Sequence, residues 1–162
     1  MKKGITLALL LFWMMIICSF SAQNGNSSGS LSYEVAYKAA EISNSLLGQG
    51  KTDTELYKQA VSMQFMIRKG AHMSEYAVLA ILVGLHISTY KKRPKYLFFL
   101  IWALCTAFAA TDEIHQLFIP GRAGRFWDVC IDSTGSLIGV LLFLLWYDKI
   151  NKKVKNYQES RK

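Results

Sequence analysis

Thr111-Asp112-Glu113-Ile114-His115-Gln116-Leu117-Phe118-Ile119-Pro120-Gly121-Arg122-Ala123-Gly124-Arg125-Phe126-Trp127-Asp128 is a polar corner between two long apolar runs. The runs at 96–118 and 126–147 are each long enough to cross the roughly 30 Å hydrocarbon core of a bilayer, which takes about 20 helical residues. Between them, Pro120-Gly121 fits a reverse turn, because proline presets one backbone angle and glycine supplies the other. A connection this short forces its flanking helices to run antiparallel. This stretch therefore reads as two neighbouring membrane helices joined by a tight loop. Its acidic and histidine side chains sit at the looped end.

Two more runs of spanning length, 4–22 and 70–90, complete the pattern. The first is preceded by Lys2 and Lys3 and ends in Ser19-Phe20-Ser21-Ala22, so it also resembles a secretory leader. Its length and the further membrane runs behind it favour a first transmembrane helix. The second and third runs are joined by the basic loop Lys91-Lys92-Arg93-Pro94-Lys95. The expected fold is all-α: an integral four-helix membrane bundle with short antiparallel connections. Four parts are expected, namely a first helix at 1–22, an extracytoplasmic segment at 23–65, a three-helix domain at 66–148 and a basic tail at 149–162.

Charge placement sets the orientation. The chain carries a net charge of +8, and twelve of its 19 Lys and Arg residues fall before the first run, in the 91–95 loop or in the tail. If the runs span alternately, those twelve lie on one side, and that is the side that faces the cytoplasm. Both termini are then expected on the cytoplasmic side. Basic residues placed this way orient a chain and touch anionic lipid headgroups. Nucleic acid is not expected as a partner, because no aromatic-basic surface motif accompanies the charge.

Residues 23–65 form the one large polar segment. Its Ser/Gly/Asn-rich start reads as flexible. Val35, Ala39, Ile42 and Leu46 recur at helical spacing. Thr52 with Glu55 makes a capping box before Leu56, Met63 and Ile67. Two amphipathic helices are expected, lying on the outer surface or packed against the bundle as a lid. Cys18, Cys105 and Cys130 lie in apolar runs, match no metal or redox spacing, and read as small core residues.

Nine ionisable groups converge on one end of the bundle, and intramembrane charges usually mark function. Arg68, His72, Glu75 and Tyr76 recur every three or four residues and share one helix face. Asp112, His115 and Gln116 share a face on the next membrane helix, with Glu113 about 100° away. Asp128, Asp132, Gly135 and Gly139 line a stripe on the last. The Gly135/Gly139 pair lets helices approach closely, within one chain or between two copies in a homo-oligomer.

Three chemistries fit these residues. Arg68, Arg122 and Arg125 pair with carboxylates and only lock the bundle. Alternatively, Arg68 and Arg122 hold an anionic group, for which guanidinium suits phosphate. In that reading Glu75, Asp112 and His115 are the candidates for proton transfer, and Asp128 and Asp132 orient the arginines or water. Finally, His72, Glu75, Asp112, Glu113 and His115 are metal-ligand types, but no zinc-site spacing accompanies them. Neither metal nor cofactor is expected.

Three ordered segments carry a family resemblance. Arg68-Lys69-Gly70-Ala71-His72-Met73-Ser74-Glu75-Tyr76 looks like the Arg-Lys-x-Ala-His-x-x-Glu-Tyr motif of VanZ-like membrane proteins. The segment from Asp112 to Arg122 is similar to their second motif, Asp-Glu-x-His-Gln-x-Phe-x-Pro-x-Arg. Asp128, Asp132 and Gly135 resemble their third. The resemblance covers roughly residues 60–148. It implies a multi-pass protein of the bacterial envelope. The family's namesake lowers susceptibility to the glycopeptide teicoplanin, which makes membrane lipids, a lipid-linked cell-wall precursor or the glycopeptide itself the expected partners. The other reading is a non-catalytic structural or partner-binding membrane protein whose charged cluster only stabilises the bundle.

Overall fold

The computed structural model describes residues 2–90 and 96–160 of the chain. They form five α-helices: α1 (Lys2–Ser21), α2 (Gly25–Leu47), α3 (Asp53–Ser88), α4 (Leu97–Gln116) and α5 (Phe126–Glu159). No strand occurs among the described residues. Four helices are long and apolar enough to cross a membrane: α1, α3, α4 and the Phe126–Ile150 part of α5. The all-α membrane bundle read from the sequence is the fold. The basic loop at 91–95 lies outside the described residues, as do Arg161 and Lys162 of the tail.

The bundle is built on α3. Its longest interface is with α5, and α4 packs chiefly on α5, while α1 lies mainly against α3. Ile17, Tyr76, Leu79, Ile101, Val140 and Phe143 form the buried core where these four helices meet. The α3–α5 seam is tight because α5 presents Gly135 and Gly139 to the α3 backbone. A Cβ on either would run into the carbonyl oxygen of Met73 or of Ala77. The glycine stripe is thus occupied within the chain.

Polar side chains tie the helices at matching depths. Trp13 Nε1 donates to the Glu75 carbonyl oxygen at 2.9 Å, fixing α1 to α3. At the far end of the same pair, Thr6 Oγ1 lies 3.0 Å from His86 Nδ1, which gives His86 its partner. Trp102 Nε1 donates to Ser133 O, and Thr106 and Ser133 share a hydroxyl contact at 2.8 Å between α4 and α5.

Three sequence expectations change. The start of the 23–65 segment is a helix, because the Asn24 side chain accepts from the Ser27 amide at 2.8 Å and caps α2. The second amphipathic helix is not a separate element. The Thr52/Glu55 capping box is present, but the helix it starts runs without a break through Gly70 into the membrane run. Cys18 is exposed on α1, whereas Cys105 is buried and Cys130 half-buried.

The unbroken α3 explains the molecule's outline. At about 1.5 Å per residue, 36 residues extend about 54 Å, well beyond a hydrocarbon core of about 30 Å. Its N-terminal half leaves the bundle and is covered by antiparallel α2. Ser32, Ala36 and Ala40 of α2 and Leu56 and Ala60 of α3 are the buried positions of this hairpin. Small residues at the contact let the two helices approach closely.

Candidate functional site

The base of the hairpin, the end of α1 and the 117–125 loop meet at one place, and the polar residues collect there. The loop is stitched to the hairpin by the Gly25 amide, which donates to the Pro120 carbonyl at 3.1 Å. Gly121 supplies the left-handed backbone conformation that the turn needs (φ 72°). Arg122 then reaches back to the end of α1. Its Nε donates to Gln23 O and its Nη2 to Phe20 O, both at 3.0 Å. Phe20 lies in the last turn of α1, and its carbonyl also accepts the Gln23 amide at 3.3 Å.

Arg68 stands beside Arg122. Its Nη2 donates to the Ser32 hydroxyl at 3.3 Å, and its Nε is buried without a partner. Gln64 completes the wall by donating to Gly29 O at 2.7 Å. Burial, and then the adjacent Arg68, pull the Arg122 guanidinium below its ordinary value, and Asp112, Glu113 and Glu75 oppose this. The ion pairs within 4.0 Å among the described residues are Lys69–Asp128 and His72–Asp132. The expected arginine–carboxylate locks are therefore not formed. Arg68, Arg122 and Arg125 keep donors available.

A second layer lies one helical turn deeper. Asp132 is fully buried, with neither carboxylate oxygen hydrogen-bonded, and His72 Nδ1 is 3.8 Å from it. The Tyr76 hydroxyl is also buried and unpartnered, in a field set by Asp112, Asp132, Glu113 and Glu75. Gln116 donates to Asp112 and Glu113 at 3.2 and 3.3 Å. Glu113 Oε2 accepts the Arg125 amide at 2.9 Å, so its charge sits at the positive N-terminal end of α5.

The structure thus gathers Arg68, His72, Glu75, Asp112, Glu113, Gln116, Arg122, Asp128 and Asp132 at one end of the bundle. His115 lies at the same end, but its side chain is exposed. The burial boundary on α4 runs through 112, 113 and 116, so Glu113 joins the interior and His115 is exposed. Lys69, Ser32 and Gln64 are the neighbours that sequence spacing did not single out. Lys69 is adjacent to Arg68 in the first motif and was legible there, while Ser32 and Gln64 carry no signal of their own. No group of three or more His, Cys, Asp or Glu among the described residues is placed to hold a metal ion.

Two clefts open over this cluster. One, of about 380 Å³, is lined by Arg68, Lys69, His72, Arg122, Arg125 and Asp128. The other, of about 220 Å³, has mostly apolar walls from Phe20, Leu31, Val35, Ile67 and Ala71. Arg68, His72 and Arg122 border both. Chemically, the guanidinium groups offer parallel N–H donors to an oxyanion. His72, resting on a buried carboxylate, offers a nitrogen able to give or take a proton.

Fold and site together define a multi-pass helical membrane protein with a polar site at one end of its bundle. The model of the VanZ/LLP1 family matches residues 6–147, and the chain belongs to that family. The match takes in α1 and the hairpin as well as the motif-bearing region. No curated protein and no solved structure matches the chain.

Proposed function

We propose that this VanZ/LLP1-family membrane protein works at the outer face of the bacterial cytoplasmic membrane, where its cation-lined cleft engages the phosphate of an outer-leaflet lipid or lipid-linked cell-wall precursor. The observation that carries this reading is the pair Arg68 and Arg122, adjacent, partly buried and, among the described residues, without a carboxylate within 4.0 Å. Unpaired charge in such a place is costly, and an anionic ligand is what relieves it. The positive-inside pattern of the sequence supports an outward-facing cleft. Engagement of a wall precursor, or of the glycopeptide itself, would lower susceptibility to drugs such as teicoplanin.

A structural role is the second reading, and one part of the cluster favours it. Glu113 and Gln116 are hydrogen-bonded to the loop and to each other, and they hold the α4–α5 corner. Glu113 supports the cleft without lining it, whereas Gln116 is also part of the wall of the cation-lined cleft.

The test is glycopeptide susceptibility in a sensitive Gram-positive host. The arms are empty vector, wild type, Arg68→Gln and Glu75→Gln, with membrane levels checked by immunoblot. A teicoplanin shift with wild type that disappears in equally abundant variants is the expected result. If both variants retain the full shift, the site reading fails. If well-expressed wild type gives none, the link to glycopeptides fails.

A further inference from the structure

The two clefts are parts of one site with opposite chemistries. Arg68, His72 and Arg122 form the wall they share. On one side lie Lys69 and Arg125, and the surface is mainly polar. On the other lie Leu31 and Val35 of α2 facing Ile67 and Ala71 of α3, and the surface is mainly apolar. An anion-binding site needs no apolar annex, and a hydrophobic slot needs no arginines at its mouth. A ligand that uses both carries a charged head and a hydrocarbon chain joined at the position of Arg68 and Arg122.

The slot also limits the chain. Its volume of about 220 Å³ is below the roughly 300–1,000 Å³ typical of pockets for drug-sized molecules. It is closed on one flank by α2, whose first turns are pinned by Gln64 to Gly29 O and by Gly25 to Pro120 O. Beside the head, the cleft offers walls to the head-proximal part of one chain, and its open side lets the rest protrude. Burial of apolar chain against such walls adds affinity in proportion to its area.

We infer that the ligand is a single-chain anionic amphiphile, with a phosphate-type head in the cationic cleft and its one hydrocarbon chain clamped between α2 and α3. This rests on the anion-binding reading above and narrows it to a substrate class. Two-chain phospholipids are disfavoured because their second chain has no place in the slot.

The experiment uses the purified full chain in detergent micelles, with binding followed by thermophoresis. Four probes separate head from chain: sn-glycerol 3-phosphate, oleoyl lysophosphatidic acid, dioleoyl phosphatidic acid and monooleoylglycerol. The lysolipid is expected to bind about tenfold or more tightly than each of the others. Val35→Trp, which fills the slot from an exposed position, should bring the lysolipid down to the level of glycerol phosphate. Arg68→Gln should weaken every phosphate probe. Equal binding of the one-chain and two-chain phosphates would overturn the single-chain inference and leave the anion site standing. Binding of monooleoylglycerol as tight as the lysolipid, or no binding by any phosphate probe, would overturn both.

Discussion

Asp132 separates a functional cluster from a structural one. A buried carboxyl whose two oxygens accept no hydrogen bond, with its nearest partner at 3.8 Å, destabilises a bundle unless something offsets it. Asp132→Asn removes the ability to ionise and keeps the shape. The variant is expected to insert normally and to melt at or above the wild-type temperature in detergent, while losing function. A clear fall in melting temperature would instead show that the carboxylate holds the helices together. Gly139 gives the opposite case. A methyl group there collides with the Ala77 carbonyl, so Gly139→Ala is expected to destabilise by about 1–3 kcal/mol, as overpacked sites do, read as a lowered melting temperature. At this scale most of the site was legible: Arg68, His72, Glu75, Asp112 and Asp132 are where their spacing put them. The exposure of His115 was not legible, because helical spacing places 112, 115 and 116 on one broad face without saying where its buried edge lies.

The hairpin is the element with the most local determinants. Thr52 and Glu55 exchange hydrogen bonds at the start of α3, with the Thr52 amide and hydroxyl 2.8 and 2.9 Å from Glu55 Oε2. Thr52→Ala removes one side of the box and is expected to weaken the α3 start by about 1 kcal/mol. Faster amide exchange at 53–57, with the core of the bundle unchanged, is the corresponding readout. The capping box was legible because its signal is contained in four residues. The continuity of α3 was not, since a change from amphipathic to apolar pattern near Gly70 looks like a boundary. Nothing breaks the helix there, and a Cβ at Gly70 would meet open space, so that glycine marks neither a turn nor a close contact. The Ser/Gly-rich start of α2 was misjudged for a related reason. Composition gives propensity, while the Asn24 cap and the α3 surface supply the stabilisation.

For the whole molecule, charge placement makes the sharpest prediction. With the basic loop and tail inside, α2 is outside and the end of α5 inside. In a cysteine-free background, a membrane-impermeant maleimide is expected to label Glu41→Cys in intact cells and Lys153→Cys only after lysis. The reverse pattern would place the cleft in the cytoplasm and end the outer-leaflet reading. Number and order of the spans were legible because hydropathy reports directly on transfer into lipid. Which helix is central was not, since all four are apolar. Only the packing shows α3 in contact with α1, α2, α4 and α5.

One rod with no joint therefore carries the tip of the hairpin, the wall of the cleft and the glycine seam. Its first residue lies far outside the bundle and its last at the opposite end. A load on the tip cannot be absorbed locally by bending at a linker, because there is none between Asp53 and Ser88. It arrives at His72 and Tyr76 as tilt or rotation of the same rod, like a force applied to the handle of a key. Whatever grips the tip therefore acts on the lock.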